Sequence, residues 1–394
     1  MTMKTLKPSI GFCQRSYHLL NHWSSGSSLK TWPLHTRQHQ QQQHRCLTSD
    51  GLTIGGQRLP PQPQQQQQQL AVDVLVSRSD NIFANLALED WIYRNSDLTN
   101  RSVVLLWRNR PAVVVGRHQN PWREVHVGRC LANGVEVVRR NSGGGTVYHD
   151  LQNLNISFIG HKSRYNRLGN LVRLQKVMAT KFDIDLRINS REDLVVAASG
   201  HKISGTASRI GAHNSYHHLT LLIDADLSRM KSLIRKESPS MVSKATGSIS
   251  STTTNLKSIN SDISMNDIIN ELAIELNTNS TSGTSYPFTE VIAADDDDDD
   301  DNDEDLYPGI NQIEESLRSW QWIYGKTPKF QVNRQLCWQN SRFLMEIHVI
   351  HGMIDGLVLL GEEFKTRLDL VGTPFTKDSV ISRLNESLNN NQTI

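Results

Sequence analysis

At residues 139–150 the chain reads RRNSGGGTVYHD. Glycine loses more backbone freedom on folding than any other residue, so three in a row are costly to order. A tight hairpin turn needs only one or two. The stretch before the triplet, VEVVRR, is strand-like, and the stretch after it, TVYHDLQNLNISFI, ends in a strand. Gly143, Gly144 and Gly145 therefore sit at a strand-to-strand bend, which is neither a Walker nor a Rossmann loop, since those lead into a helix. At such a bend the missing Cβ lets backbone N–H groups lie directly against a ligand. Arg139 or Arg140 supplies charge and Ser142 a hydroxyl. The plain alternative is a glycine-rich hairpin with two solvated arginines. The excess of glycine favours ligand contact, and the residues themselves say only that the ligand is anionic or carries a carbonyl.

Helical and extended patterns alternate around this bend. DNIFANLALEDWIY places Phe83, Ala87 and Trp91 on one helix face, and LGNLVRLQKVMATKF repeats Leu168, Leu171, Leu174, Met178 and Phe182 at helical spacing. SVVLLW and AVVVG, separated by RNRP, read as a strand pair around a turn. VEVVRR, NISFI and LTLLID read as further strands. Asp226 is placed to cap ADLSRMKSLI, and Ser264 to cap SMNDIINELAIEL. Further on, INQIEESLRSWQWIYG opens a smaller module, FLMEIHVIHGMIDGLVLLG reads as a hairpin, and SVISRLNESL closes the module as a helix. The expected class is α/β in the broad sense (α+β), with a mixed sheet in a large first domain and a small second one.

Composition marks the boundaries. Residues 1–70 hold the glutamine runs HQQQQH and QPQQQQQQ, which cannot bury a core. No acid precedes Asp50, whereas six Lys or Arg do, and no apolar h-region is present, so this segment reads as a mitochondrial transit peptide. The first domain is expected over 71–277, an acidic low-complexity linker over 278–306, and a C-terminal domain over 307–394. The run DDDDDDDNDED at 295–305 carries ten acids and reads as a solvated loop without EF-hand spacing. With those ten acids and the six leading cations set aside, the formal +2 becomes +6. That mild excess suits anionic substrates or acidic partner domains and falls short of a nucleic-acid footprint. No run of 18 apolar residues suggests a membrane span. Cys13, Cys46, Cys130 and Cys337 show no CxxC spacing, so neither zinc nor a disulfide framework is indicated. Cys130, in VGRCLANG, reads as an ordinary semi-buried thiol rather than a nucleophile.

A second cluster, SREDLVVAASGHKISGTASR at 190–209, sets Lys202 before the small residues Ser204, Gly205, Thr206 and Ala207. A lysine so bordered can reach across a groove to a phosphate or a polarised carbonyl oxygen. A surface lysine beside a turn fits the composition equally well. Asp193 either balances that charge or is an ordinary loop acid. His217 and His218 are donors or buried ring residues, with no third metal ligand at suitable spacing.

RRNSGGGTVYHDLQNLNISF closely resembles the RRxSGGG(A/T)V(Y/F)HDxxN signature of lipoate–protein ligases and lipoyltransferases. LWRNRPAVVVGRHQNPWREV, the EDL of 192–194, HKISGTASR and YHHLTLLIDADLSRM match the same family in the same order. The resemblance covers roughly 72–260 and extends more weakly through WQWIYGKTPKF, where, with the leader, it is most similar to animal mitochondrial lipoyltransferases. It implies a biotin/lipoate ligase-like catalytic domain followed by a small accessory domain. It implies that Lys202 touches the acyl carbonyl and the phosphate, that Trp107 lines a lipoyl tunnel, and that Arg140, Ser142 and Gly143 to Gly145 border the acyl chain and adenylate. His149, Asp193, Ser204, Gly205 and His218 fall at other pocket positions, and no metal ligand is implied.

The implied reaction is lipoyl transfer to a lysine on the E2 lipoyl domains of 2-oxoacid dehydrogenases in the mitochondrial matrix. The donor would be lipoyl-AMP or the lipoylated glycine-cleavage H protein, and the enzyme a monomer with no nucleic-acid or membrane partner. Bacterial ligases carry an adenylate loop of the pattern SVxSRVTNL, whereas this chain has SISSTTTNL at 248–256. The missing arginine favours a transferase over a ligase that activates free lipoate, for which alone ATP and Mg²⁺ would be needed. The other readings are that complete ligase, a non-catalytic lipoyl-domain binder and, ranked lowest, a biotin ligase.

Overall fold

The computed structural model describes residues 71–235, 240–277, 289–291, 306–338, 341–361, 365–368, 371–376 and 379–380. The proposed transit segment, the aspartate run and most of the closing helix SVISRLNESL lie outside them. The central strand, Arg101–Trp107, explains the architecture. Val103, Leu105 and Trp107 enter one hydrophobic core while Val104 and Leu106 enter another, so the strand is buried on both faces and reads as an unbroken apolar run. It pairs parallel with Ala71–Ser77 and antiparallel with Asn153–His161. Asn214–Leu222 and Thr206–Ile210 continue the sheet on one side. Thr289–Val291 closes the other edge, so a strand stands inside the segment expected as linker. The result is a mixed six-stranded sheet within an α+β fold.

The helices Arg167–Phe182 and Met265–Leu276 cover one face. Leu171, Leu174, Met178 and Phe182 are buried as their spacing requires, whereas Leu168 faces solvent. Asp226 and Ser264 cap their helices, accepting from the N–H of Arg229 and Asp267. On the other face lie the helix Ile82–Asn95 and a three-stranded sheet of Ala112–Val115, Glu136–Arg139 and Val147–His149. The strand pair expected from SVVLLW and AVVVG therefore does not form. Arg101–Trp107 belongs to the large sheet, whereas Ala112–Val115 pairs parallel with Glu136–Arg139 and antiparallel with Val147–His149. The intervening RNRP carries the chain from one layer to the next instead of folding it back.

A third core lies in a five-stranded sheet built from Met241–Ser243, Phe330–Trp338, Ser341–Ile350, Met353–Leu360 and Lys365–Leu368. The expected hairpin is present, and its two turn residues, His351 and Gly352, both have positive φ, as a tight I′ turn demands. Composition placed the start of this module at 307. The helix Ile310–Arg318 instead packs on Ile82–Asn95, with Ile310, Leu317 and Ile323 in the first core. The divide between the first and third cores thus falls after Gly325. Apolar periodicity shows that a helix has a face to bury, not which core buries it.

Candidate active site

Strand register puts the site residues in rows. Trp107 lies opposite Asn155, which lies opposite Thr220; Leu105 lies opposite Ser157, which lies opposite His218. Because side chains alternate, these rows point toward the helix Ile82–Asn95 and the small sheet. Between the layers lies a cavity of about 310 Å³, within the range of small-molecule sites. Leu86, Trp107, Val114, Val147 and Ala207 form its apolar part; Gly144, Gly145, Lys202, Asp193 and Arg191 belong to its polar part. Trp107, Arg140, Gly144, Gly145, His149, Asp193, Lys202, Gly205 and His218 all line it, as the motifs imply.

The glycine triplet is held from behind. Arg140 is 5 % exposed, and its guanidinium donates to the carbonyls of Val114 at 3.1 Å, Gly143 at 2.5 Å and Gly145 at 2.7 Å, and to Ser142 Oγ at 2.9 Å. Burial lowers its pKa to about 10, which leaves it a cation at neutral pH. Arg140 lines the cavity, and its charge anchors the bend. With the carbonyls of Gly143 and Gly145 held by Arg140, the N–H groups of Gly144 and Gly145, the two glycines that line the cavity, meet no acceptor among the described residues. They form an array of donors at the cavity wall, suited to an anion or a developing oxyanion. Gly144 has φ +83°, and a Cβ there would stand 3.1 Å from the Arg140 guanidinium, so the bareness of the sequence has a steric cause.

Other expected residues take supporting parts. Ser142 and Gly143 do not reach the cavity lining; the Ser142 hydroxyl meets Arg140 and, at 2.8 Å, His218 Nε2. Ser204 accepts from the N–H of Leu194 and ties its own segment to the strand Leu194–Val196. Arg139 is fully buried and turned away. It donates to the carbonyls of Gly116, Arg117, Gln119, Trp322 and Ile323 and to Thr327 Oγ1, tying the small sheet to the 322–327 segment. Cys130 is buried and its thiol is pushed up to about 11, which suits packing and not nucleophilic attack. His217 is buried against Phe158 and held neutral, its pKa lowered to about 3 by burial and by the nearby His218 and Arg167.

Lys202 Nζ lies 2.9 Å from Asp193 Oδ1, and Arg191 approaches the other carboxylate oxygen at 3.5 Å. Asp193 thus balances and aims the lysine. His149 is neutral: burial, then Arg140 and His218, lower its pKa to about 3. Asn85 donates to Asn109 Oδ1, so Asn109 Nδ2 donates to His149 Nδ1, and the ring proton resides on Nε2. Sequence reasoning missed Arg167 and Arg191 on the cavity wall and Glu89 behind it. It also missed that 246–249 closes the cavity, with Ser248 Oγ accepting from Thr146 N and Gln119 Nε2. Arg191 was legible beside EDL. It donates to Ser251 Oγ, so an arginine reaches the 248–256 loop from elsewhere in the chain.

Comparison with known proteins agrees with this geometry. Residues 81–277 match the family of the lipoyl protein ligase A/B catalytic domain. The chain is 36% identical to the mitochondrial lipoyl amidotransferase of Homo sapiens over 286 residues, covering 72% of this chain and 74% of that protein. LipL1 of P. falciparum, solved in complex with lipoate, superposes with a TM-score of 0.54 at 24% identity, over 80% of this chain and 94% of that one. The bipartite lipoate protein ligase of Thermoplasma acidophilum, studied with its E2 lipoyl domain, gives 0.51 at 18% identity, over 64% and 96%. These two structures share the fold. A glycine bend clamped by a buried arginine, a lysine across the cavity and an identity maintained over most of the sequence converge on one assignment: the chain belongs to the lipoyl protein ligase A/B catalytic domain family.

Proposed function

We propose that this protein is a mitochondrial lipoyltransferase that modifies a lysine on the lipoyl domains of 2-oxoacid dehydrogenase E2 subunits. One observation carries the reading: a single cavity joins an apolar slot to unpaired glycine amides and a lysine cation. A lipoyl group has an apolar chain ending in a carbonyl, which suits those two parts. From lipoyl-AMP, the acceptor amine forms the new C–N bond while the C–O bond to phosphate breaks. AMP departs, and the amine loses a proton. From lipoylated H protein, one lysine amide replaces another and the donor lysine takes up the proton. In both cases negative charge develops on the carbonyl oxygen, where Lys202 and the glycine amides stabilise it. The acid-free leader and the mitochondrial relative support a matrix location. The archaeal ligase studied together with its E2 lipoyl domain supports the class of acceptor.

The second reading, a complete ligase using ATP and Mg²⁺, is favoured by the Arg191–Ser251 contact, which restores a cation to the altered loop. The test presents an unmodified E2 lipoyl domain and three donors in parallel: lipoate plus MgATP, lipoyl-AMP, and lipoylated H protein. Intact mass reports modification. Transfer from lipoyl-AMP or H protein, without transfer from lipoate plus MgATP, is the expected result. Transfer from lipoate plus MgATP establishes the ligase instead. Binding of the lipoyl domain without transfer from any donor refutes the catalytic reading.

A further inference from the structure

Behind the cavity a line of buried polar groups joins motif residues through Glu89 and Ser157, which no motif announces. Trp107 Nε1 donates to Ser157 Oγ at 3.0 Å, and Ser157 Oγ donates to Glu89 Oε1 at 2.5 Å. The same Glu89 oxygen receives His218 Nδ1 at 2.8 Å. His218 Nε2 meets Ser142 Oγ, which in turn accepts from Arg140 Nε. The protons assign consistently along the line: Glu89 only accepts, His218 carries its proton on Nδ1, and the Ser142 hydroxyl donates to His218 Nε2. One end is the indole in the apolar wall; the other is the guanidinium that clamps the glycine bend. Glu89 is 2 % exposed and is the acceptor at which both arms converge.

We infer that Glu89 is a positioning residue that fixes the acyl-slot wall and the glycine amides relative to each other. The inference rests on the transfer reading above. Its physical content is that a carboxylate without solvent must be satisfied by fixed donors, and here those donors are the supports of two opposite parts of the cavity. Glu89→Gln keeps shape and size and leaves one amide oxygen to accept from both arms. It removes the negative charge, however, and hydrogen bonds to a neutral acceptor are roughly half as strong, so the two arms are held less firmly. The neighbouring carboxylate, Asp90, pairs with Arg209 and Arg94 and gives the helix a separate tie to the sheet, so the fold does not hang on Glu89 alone.

The experiment uses the full chain, lipoyl-AMP and the unmodified E2 lipoyl domain, with kcat, KM and Tm measured for wild type, Glu89→Gln, Ser142→Ala and the double variant. A misplacement near 1 Å costs about 100-fold in rate. We expect kcat to fall about 10- to 100-fold in each single variant, KM to change far less, and Tm to shift by only a few degrees. In the double variant kcat falls little further, because one line is cut twice. Wild-type turnover in Glu89→Gln, or losses that multiply in the double variant, overturns the inference. An inactive wild type refutes the transfer reading instead, so the two failures are distinct. If Glu89→Gln does not fold, Ser142→Ala with Ser157→Ala supplies the same cycle across the two arms, and independent losses there overturn it equally.

Discussion

Gly116→Ala tests the glycine bend without removing a polar group. A Cβ on Gly116 would stand 2.2 Å from the carbonyl oxygen of Gly144 and 3.1 Å from that of Gly143. Ordinary contact begins at 3.4 Å, so the two backbones must separate by about 1 Å. Neither side yields readily. Arg140 holds the carbonyls of Gly143 and Gly145, while Gly116 N donates to Gln119 Oε1 and Gly116 O accepts from Arg139. Overpacking of this kind costs about 1–3 kcal/mol, and roughly 2–4 °C of Tm per kcal/mol in a body of this size. A 1 Å displacement of the amides costs about 100-fold in kcat. Gly128→Ala, in the helix Val127–Ala132, is the control, because nothing lies within 4 Å of the added carbon. It should turn over like wild type and gain roughly 0.5–1 kcal/mol. The assay is lipoyl transfer by intact mass, paired with a thermal melt. If Gly116→Ala melts lower yet keeps full kcat, the position of the amides does not govern the chemistry and the oxyanion argument fails.

Three other outcomes follow from the same geometry. Lys202→Ala should lower transfer from lipoyl-AMP by about 10²–10³ while the acceptor domain still binds; an unchanged rate, measured by intact mass, would remove the lysine from the mechanism. Arg139→Lys keeps a cation but loses the planar fork that meets five carbonyls and a hydroxyl, so a urea titration should show a loss of about 2 kcal/mol or more. His149 and His217 both have folded pKa values lowered to about 3 from 6.5. Between those values the unfolded chain binds protons that the folded chain does not, so stability falls as pH falls, by up to about 1.4 kcal/mol per unit for each histidine. His217→Phe should make the drop in urea midpoint from pH 7 to pH 5 shallower, and an unchanged slope would show that His217 is protonated when folded.

Much of this protein was legible without coordinates. Periodicity defined the helices at 82–95, 167–182 and 265–276, and hydroxyl or carboxylate residues marked where two of the caps would be. The ordered motifs collected Trp107, Gly144, Gly145, Asp193, Lys202 and His218, which one cavity indeed joins. Such features are local: a run of glycines, a helical repeat or a cap is written within a dozen residues, where sterics and backbone hydrogen bonding act.

Tertiary structure decided what each feature faces. Two adjacent apolar runs, 101–107 and 112–115, look like a hairpin, but burial on both faces draws the first into a large sheet and sends the second to another. Arg139 and Arg140 are neighbours in sequence, yet one ties down the 322–327 segment and the other the glycine bend, because successive side chains on an extended chain point to opposite sides. Glu89 meets Ser157 and His218 from 68 and 129 residues away, and no local pattern carries a contact over that distance. By itself the sequence determined which chemistry the chain holds and which segments bear it. Only packing between distant segments decided which polar groups support the site and which face the ligand, because a buried charge takes its partner from whatever the fold brings beside it.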